Sequence, residues 1–326
     1  MLISVIIATY NAEKYLPKCL GSIAQQDYLD FEVVVINDGS TDNSEEVILK
    51  FKQDHPEINL IYKKIPNGGP INARVTGANL AKGEYICFID SDDYIEKDYF
   101  NKFFEAINKH HPDMVCCNYF INDKEKYIDS HFKDQFLDLD GIKKEIYPYL
   151  IRDERYNYIR PTVWAKAFKK EIYLNNVCKD DIRIGEDLVV TIPMILETKS
   201  MYLISAPLYH YRVVEASMIN SKKPRNYSDC YKIYDILSIK IKGQEDVFNI
   251  QLDRLISHLA FNCSITQFYS DKDKSEIIKI IGDNLSSPVI SKCISKIDGK
   301  GFKAKLMKYA LQKRKYGLMK LYSKLM

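Results

Sequence analysis

The sequence contains little that would place it outside the soluble globular class. Its longest apolar runs, such as 31–36 and 85–89, fall far short of the ~18 residues that a membrane span needs. Glycine and proline are sparse, at 13 and 11 of 326 residues, which excludes collagen-like and disordered chains. The eight cysteines show no C-x-x-C spacing, so we expect neither zinc nor disulfides, and a cytosolic location. Residues 1–11 lack a basic region and a cleavage site, so we expect a first strand rather than a signal peptide.

Acidic residues are absent from the last part of the chain. Residues 299–326 contain nine Lys or Arg and no Asp or Glu, whereas the rest holds 38 basic and 44 acidic residues. A slightly acidic body argues against nucleic-acid binding. The basic tail, residues 300–326, also contains many apolar residues, and two interpretations stay open. It makes peripheral contact with an anionic membrane surface on the inner face of the cell membrane, or its apolar side packs on the body.

The first hundred residues alternate between two hydrophobic periods. Short β-branched apolar runs predict buried strands, and apolar residues at helical spacing predict helices between them. This alternation predicts an α/β fold with a Rossmann-like, mostly parallel sheet flanked by helices, in which ligands bind beyond the carboxyl ends of the strands. The predicted strands are 2–8, 31–36, 59–64 and 85–89, and the predicted helices are 11–25, 45–52 and 71–81.

The pattern changes near residues 215–226, where serines, lysines and a proline cluster. Residues 227–266 and 274–326 are helical in pattern, with few strand signals. We therefore predict an α/β domain over 1–220 and a helical C-terminal extension over 221–326. Its helices are a candidate surface for a homo-oligomer.

Three carboxylates in four residues, Asp90-Ser91-Asp92-Asp93, follow the predicted strand 85–89. Carboxylates this close together repel one another, so fold stability does not account for them. A divalent cation held by one or two carboxylates and by substrate phosphates would offset the repulsion. A solvated acidic turn that caps the next helix is the alternative.

Polar residues also follow the first two predicted strands. The carboxylate of Asp38 could accept the N3–H of a uracil, whereas a tight turn and a helix cap explain its neighbours but not Asp38 itself. The backbone of Ala8 and the ring of Tyr10 could flank a nucleotide base. A helix N-cap at Asn11 is a simpler explanation of that segment.

Taken together, these segments resemble glycosyltransferase family 2, a large inverting family with the GT-A fold. The resemblance covers roughly residues 1–215, and it implies nucleotide-sugar binding in 1–120 and an acceptor side in 120–220. One departure is Ala8, which stands where proline is usual. The segments that carry the resemblance are SVIIATYNAEKYLPKCLGSI, FEVVVINDGSTDNS, NGGPINARVTGANLAKGEYICFIDSDD, GEDLVVT and LYHYRV.

The resemblance implies specific roles on the donor side. Asp92 would hold a Mn²⁺ or Mg²⁺ cofactor, and Asp38 would contact the base. Arg74, in a matching N-x-G-x-x-x-A-R-x-x-G pattern, would lie near the donor. The donor-binding residues so implied are Ala8, Tyr10, Asn11, Asp38, Arg74, Asp90 and Ser91.

The remaining candidates lie further along the chain. The resemblance makes Asp187 the general base that deprotonates the acceptor hydroxyl, with Glu186 beside it on the acceptor side; helix-start electrostatics is the alternative. Arg212 could clamp the donor diphosphate through two N–H groups. His210 is either a third metal ligand or a hydrogen-bonded histidine in a strand. Trp164 either stacks on an acceptor sugar or belongs to the core.

These features predict a metal-dependent, inverting glycosyltransferase of hexosyltransferase type. Its donor would be a nucleotide sugar, UDP-linked, and its acceptor a glycan or lipid-linked glycan, as in capsular, exopolysaccharide or related cell-surface glycan synthesis. A nucleotidyltransferase is disfavoured, because ATYNAEKYL occupies the position of the Gly-rich phosphate loop. A catalytically silent sugar-binding or assembly module is disfavoured by the presence of Asp92, Asp187 and Arg212.

Overall fold

The computed structural model describes residues 2–28, 30–121, 133–152, 159–178, 180–214, 222–297 and 301–325. In the first part of the chain strands and helices alternate as predicted. The first helix begins at Leu16 rather than at residue 11, because a turn precedes it and Asn11 has a φ of 47°. The elements are β1 (Ile3–Thr9), α1 (Leu16–Ala24), β2 (Phe31–Asn37), α2 (Ser44–Asp54), β3 (Asn59–Lys64), α3 (Gly69–Leu80) and β4 (Tyr85–Phe88).

After β4 the strands are less regular in length and spacing. Two long strands in this part, β6 and β9, extend the sheet beyond its first half. The elements are β5 (Tyr94–Ile95), α4 (Tyr99–His110), β6 (Met114–Ile121), β7 (Gln135–Leu137), α5 (Leu139–Glu145), β8 (Lys166–Lys169), α6 (Lys170–Asn175), α7 (Glu186–Glu197) and β9 (Met201–Tyr211).

Nine strands of the described residues form one sheet in the order β3-β2-β1-β4-β8-β6-β9-β5, with β7 paired to β9. Neighbours among β3, β2, β1 and β4 are parallel, as are β6 and β9, whereas β8 is antiparallel to β4 and β6. The predicted mostly parallel sheet is confirmed. Because β1 lies between β2 and β4, the carboxyl ends of these three strands meet at one edge.

The sheet is buried on both faces in its first half. Helix α3 packs so closely on β1 that a Cβ atom added at Gly77 would lie 2.4 Å from Cγ2 of Ile6. Ile6 itself is fully buried. Glycine at position 77 therefore permits the approach of helix to strand, and that approach fixes α3 against the sheet.

The C-terminal part of the chain is helical, as predicted. Its longest helix, α9, carries Gln251, whose buried side chain accepts a hydrogen bond from the N–H of Ile151 (2.7 Å) and donates one to the carbonyl of Tyr147 (2.8 Å). The ring of Tyr147 packs edge-on against Phe248. The helices are α8 (Tyr227–Lys240), α9 (Val247–Thr266), α10 (Lys274–Leu285), α11 (Pro288–Lys296), α12 (Phe302–Gln312) and α13 (Tyr316–Ser323).

The described residues group into two compact units. The first comprises 1–142, 162–179 and 193–214 and contains the whole sheet, and the second comprises 143–161, 180–192 and 215–326. The predicted boundary at 220 falls on residues 215–221, which lie outside the described residues. Among the described helices, none combines the length and the apolar character that crossing a bilayer requires.

We expect Gly77→Ala to destabilise the protein by about 1–3 kcal/mol, because the new methyl group overlaps Ile6. Gly21→Ala in α1 is the matched control, since a Cβ atom there meets nothing within 4 Å. That control should be neutral or stabilising by up to ~1 kcal/mol. Chemical denaturation of both variants tests this; equal stability of the two would contradict the close approach of α3 to β1.

Candidate active site

Three polar segments meet at the carboxyl edge of β1, β2 and β4. The N–H of Asp38, after β2, donates to the carbonyl of Thr9 at the end of β1 (2.8 Å). Oδ1 of Asn11 accepts the N–H of Thr41 (2.8 Å), so Asn11 joins two loops and does not cap α1. Asp90 follows β4 at the same edge. The residues proposed from the first three motifs are thus neighbours in space.

Asp38 is buried, and its carboxylate organises the start of α3. Its two oxygens accept the N–H groups of Gly68 and Gly69, each at 2.8 Å. Gly39 beside it has a φ of +73°, and a Cβ atom there would lie 2.9 Å from the N of Asn67. The structure therefore gives Asp38 a backbone-holding role, and its contact with a base stays a prediction.

Arg74 of α3 reaches the acidic loop that follows β4. Its guanidinium is almost fully buried and donates from Nη2 to Oδ1 of Asp90 (3.0 Å). Tyr10, by contrast, is 52% exposed, and Ala8 and Ser91 are partly exposed. The edge therefore combines a partly buried ion pair with an accessible surface on which a planar ring could lie.

Asp93 ties the acidic loop to the end of β9. The side chain is 1% exposed; its Oδ2 accepts the hydroxyl of Tyr209 (2.6 Å) and its Oδ1 accepts the N–H of Arg212 (2.8 Å). The hydroxyl of Tyr209 in turn accepts the N–H of Asp90 (3.2 Å). The sequence presents Asp93 as one of three clustered carboxylates and Tyr209 as part of LYHYRV, but no local pattern predicts that the two side chains meet.

The guanidinium of Arg212 holds the same loop from another side. Nε donates to the carbonyl of Asp92, and Nη2 donates to the carbonyl of Tyr15 (3.1 Å). Its Cζ lies 5.2 Å from the centre of the Tyr15 ring and 5.6 Å from that of Tyr94. Arg212 therefore fixes the loop backbone and brings a positive charge to it, while a diphosphate clamp stays a prediction.

The acidic loop has the donor set of a divalent-cation site. Oxygens of Asp90, Asp92 and Asp93 lie within 4.8 Å of one another. Burial, with the neighbouring Asp90, raises the pKa of Asp92 to about 6, and the same causes together with Asp92 raise the pKa of Asp93 well above its usual range. Asp93 is committed to Tyr209 and Arg212, and one oxygen of Asp90 to Arg74. Mn²⁺ or Mg²⁺ fits the remaining carboxylate oxygens of Asp90 and Asp92.

His210 lies outside this acidic group. Its Nε2 is 2.6 Å from Oε1 of Glu96, and its ring is stacked between Tyr94 (4.1 Å) and Phe120 (4.6 Å). This placement follows from the antiparallel pairing of Tyr94 with His210 between β5 and β9. The geometry favours the interpretation of His210 as a hydrogen-bonded strand residue.

Trp164 belongs to the core. The indole is 4% exposed and is stacked on Tyr209 (4.9 Å) and Tyr211 (5.3 Å), with Tyr119 packed edge-on against it at 4.9 Å. Since these rings cover it, the core interpretation of Trp164 suits the structure better than stacking on an acceptor sugar.

Glu186 and Asp187 occupy the first turn of α7, in the second unit, and are both partly exposed. The preceding loop is held by α8 of the same unit: Oδ2 of Asp229 accepts the N–H of Ile184 (3.2 Å), and Nζ of Lys232 donates to the carbonyl of Asp181 (2.6 Å). The proposed base is therefore carried on an anchored loop and a helix start. Its role stays a prediction.

The chain is similar in sequence to known glycosyltransferases. The family model described as Glycosyl transferase family 2 matches residues 4–173. The glycosyltransferase GlyA of Streptococcus pneumoniae is 32% identical over 223 residues, which cover 66% of this chain and 31% of GlyA. TarS of Staphylococcus aureus, named a poly(ribitol-phosphate) β-N-acetylglucosaminyltransferase, is 27% identical over 298 residues, which cover 87% of this chain and 49% of TarS. The chain thus spans about a third to a half of the length of these relatives.

Solved structures share the fold. The crystal structure of S. aureus TarS 1–349 in complex with UDP-GlcNAc has a TM-score of 0.71 at 22% identity, covering 98% of this chain and 89% of that one. The mannosyltransferase PcManGT of Pyrobaculum calidifontis, in complex with GDP-Man and Mn²⁺, has a TM-score of 0.51 at 17% identity, covering 97% and 83%. At these identities the likeness concerns the fold alone.

Asp92→Asn should stabilise the metal-free protein, because it removes one charge from the acidic loop. With an unfolded pKa of 3.8 and a folded pKa of about 6, the wild-type penalty grows as pH rises between these values and is complete above them. We expect a gain of about 1–3 kcal/mol near neutral pH in EDTA, which disappears near pH 4. Mn²⁺ should raise the melting temperature of the wild type but not of the variant.

Thermal denaturation with EDTA or Mn²⁺ measures both effects. Asp235→Asn, on an exposed position of α8, is the control and should change stability by less than ~0.5 kcal/mol. An Asp92→Asn variant that melts below the wild type in EDTA, or that keeps the full Mn²⁺ response, would contradict the assignment.

Proposed function

The chain belongs to glycosyltransferase family 2, and on that premise we propose that it is an inverting, metal-dependent glycosyltransferase of hexosyltransferase type. The observation that carries the proposal is the acidic loop Asp90–Asp93 at the carboxyl edge of the sheet, with the guanidinium groups of Arg74 and Arg212 bound to it. Such an edge is where open α/β sheets bind their ligands. Opposite charges in one accessible place suit a diphosphate and its counter-ion.

The donor in this proposal is a UDP-linked sugar that lies across the ends of β1, β2 and β4. Tyr10 offers an exposed ring beside the base position, and Asp38 fixes the turn that begins α3. The TarS structure with the same fold carries UDP-GlcNAc, which supports a uridine nucleotide. The loop residues Asp90 and Ser91 are then the partners of the ribose and diphosphate.

Asp92, with the second oxygen of Asp90, would hold Mn²⁺ or Mg²⁺. When bound, the cation would neutralise charge on the diphosphate leaving group. The chain contributes the rigidity of the loop: Arg212 and Tyr209 hold its backbone, and Asp93 connects both to it. This arrangement fixes the carboxylates before any ligand arrives, which reduces the cost of ordering them.

The reaction proposed is a single displacement at the anomeric carbon. The acceptor hydroxyl oxygen forms a bond to that carbon, and the bond from the carbon to the diphosphate oxygen breaks with its electron pair. Asp187 takes the hydroxyl proton, and the nucleotide diphosphate leaves. Because there is one displacement, the product carries the anomeric configuration opposite to that of the donor. Glu186, in the same helical turn, lies on the acceptor side in this account.

The proposed acceptor is a glycan. In cell-surface polysaccharide synthesis this glycan would be attached to a lipid carrier. A lipid-linked acceptor would require the enzyme to work at a membrane, where the basic tail 300–326 would make peripheral contact. In the structure Ala310, Leu311 and Met319 of the tail are buried, whereas most of its lysines are exposed. One side of the tail therefore packs on the protein and the other remains available. Homo-oligomer formation through the C-terminal helices also stays a prediction.

Asp187→Asn should lower turnover by ~10²–10⁴, the usual contribution of general-base catalysis, because the amide cannot take up the hydroxyl proton. The affinities for UDP-sugar and Mn²⁺ should stay nearly unchanged, since the base acts only when an acceptor is present. Nucleotide release measures turnover, calorimetry measures donor binding, and NMR of the product reports its anomeric configuration.

Asp181→Asn is the matched control, because Asp181 is an exposed carboxylate of the same loop. We expect its turnover to stay within about threefold of the wild type, as is typical for exposed substitutions. Normal turnover of Asp187→Asn, or a product that retains the donor's configuration, would overturn the mechanism.

A further inference from the structure

A cavity of about 460 Å³ lies within the helical unit, where the start of α10 meets the end of α12 and the start of α13. It has no part in the glycosyl transfer described above. Its wall includes four cationic side chains and the rings of Tyr309 and Tyr316, and none of its lining residues is acidic. The four cations are Lys274, Arg314, Lys315 and Lys320.

All four cations are exposed, so solvent screens part of their mutual repulsion, and an anion among them would offset the rest. Two of the four are held in place. Nη2 of Arg314 donates to Oγ of Ser286 (2.6 Å), and Nζ of Lys315 lies 5.7 Å from the centre of the Tyr309 ring. The groups that would contact an anion are therefore partly ordered in advance, which lowers the cost of binding.

Arg314 has an unusual backbone conformation. Arg314 ends α12 in the left-handed region, with a φ of 48°, and the N–H of Lys315 donates to the carbonyl of Ala310 (2.9 Å). Glycine or asparagine is usual at such a helix end, and a side chain there costs about 1 kcal/mol. The contact of its Nη2 with Oγ of Ser286 gives the arginine a structural role, and the same residue lines the cavity.

The start of α13 forms part of the cavity wall. Gly317, in the first turn, lines the cavity, and a Cβ atom there would meet nothing within 4 Å. Backbone N–H groups at a helix start carry partial positive charge. The N–H groups of Tyr316 and Leu318 already donate to the carbonyls of Arg314 and Lys315 (both 2.9 Å), so the helix start adds its dipole to the cation cluster rather than a set of open N–H groups.

Exposed side chains in and just after α13 indicate where the anion comes from. Lys320 and Leu321 belong to α13, and Lys324 and Leu325 follow its last residue; the two leucines are 55% and 76% exposed. Phe302 at the start of α12 is 80% exposed. Lysines beside exposed apolar side chains are typical of helices that lie in the interface of an anionic bilayer.

We propose that this cavity binds the phosphate of an anionic phospholipid headgroup, with Leu321, Leu325 and Phe302 entering the bilayer interface. The inference rests on the peripheral membrane contact proposed above, and it replaces a diffuse charge attraction by a defined headgroup site. It does not depend on the identity of the transferred sugar or on Asp187.

The test is sedimentation of the full chain with vesicles of phosphatidylglycerol and phosphatidylcholine, against phosphatidylcholine alone, at ~0.1 M salt. Lys315→Gln/Lys320→Gln removes two charges from the cavity. Lys303→Gln/Lys305→Gln removes two exposed charges of α12 that do not line it and so measures the diffuse attraction, about fivefold per charge. We expect the cavity pair to weaken binding at least tenfold more than the control pair.

A variant that keeps every charge tests whether the shape of the cavity matters for vesicle binding. Gly317→Leu adds a side chain at the cavity wall and leaves every lysine in place, so it should also weaken vesicle binding at least tenfold. Thermal denaturation confirms that each variant is folded, and nucleotide release on a soluble acceptor should stay at the wild-type rate in all of them. A failure of the glycosyltransferase proposal would appear in that rate and not in the vesicle assay.

Three results would overturn the headgroup site. Equal losses in the two charge pairs would show that only diffuse attraction acts, and a wild type that does not sediment with anionic vesicles would exclude membrane contact. Inorganic phosphate or soluble glycerol phosphate that binds as tightly as the vesicles would identify a soluble ligand and exclude the lipid.

Discussion

The buried carboxylate of Asp93 is the contact on which the candidate site depends. It accepts hydrogen bonds from the hydroxyl of Tyr209 and the N–H of Arg212, so it joins the loop after β4 to the end of β9. A buried carboxylate is costly unless its oxygens are satisfied, and here both are. The position of Asp90 and Asp92, and hence the cation site, follows from this contact.

The acidic loop carries more negative charge than its neighbouring arginines offset. Three carboxylates lie within 4.8 Å of one another, and the guanidinium groups of Arg74 and Arg212 offset only part of their repulsion. A protein without a ligand thus holds this loop at a cost in stability, which is common at functional sites. The binding of a cation and a diphosphate would convert that cost into affinity.

The sequence predicted the sheet well, because buried parallel strands leave continuous apolar runs and polar residues at their ends. It identified the acidic loop for the same reason. It did not predict that Arg212 would hold the backbone of Asp92, since the two residues are 120 positions apart and no local pattern encodes their contact. Likewise, the register of β5 on β9 decides that His210 meets Glu96, and the packing of Tyr209 and Tyr211 decides that Trp164 is covered.

If the acidic loop binds the donor through a divalent cation, the affinity for UDP must depend on that cation. Calorimetric titration of the protein with UDP, in Mn²⁺ and in EDTA, measures this dependence. We expect binding that is at least tenfold tighter in Mn²⁺, because the carboxylates and the diphosphate repel each other without a cation. Equal affinity in Mn²⁺ and in EDTA would contradict binding through a cation.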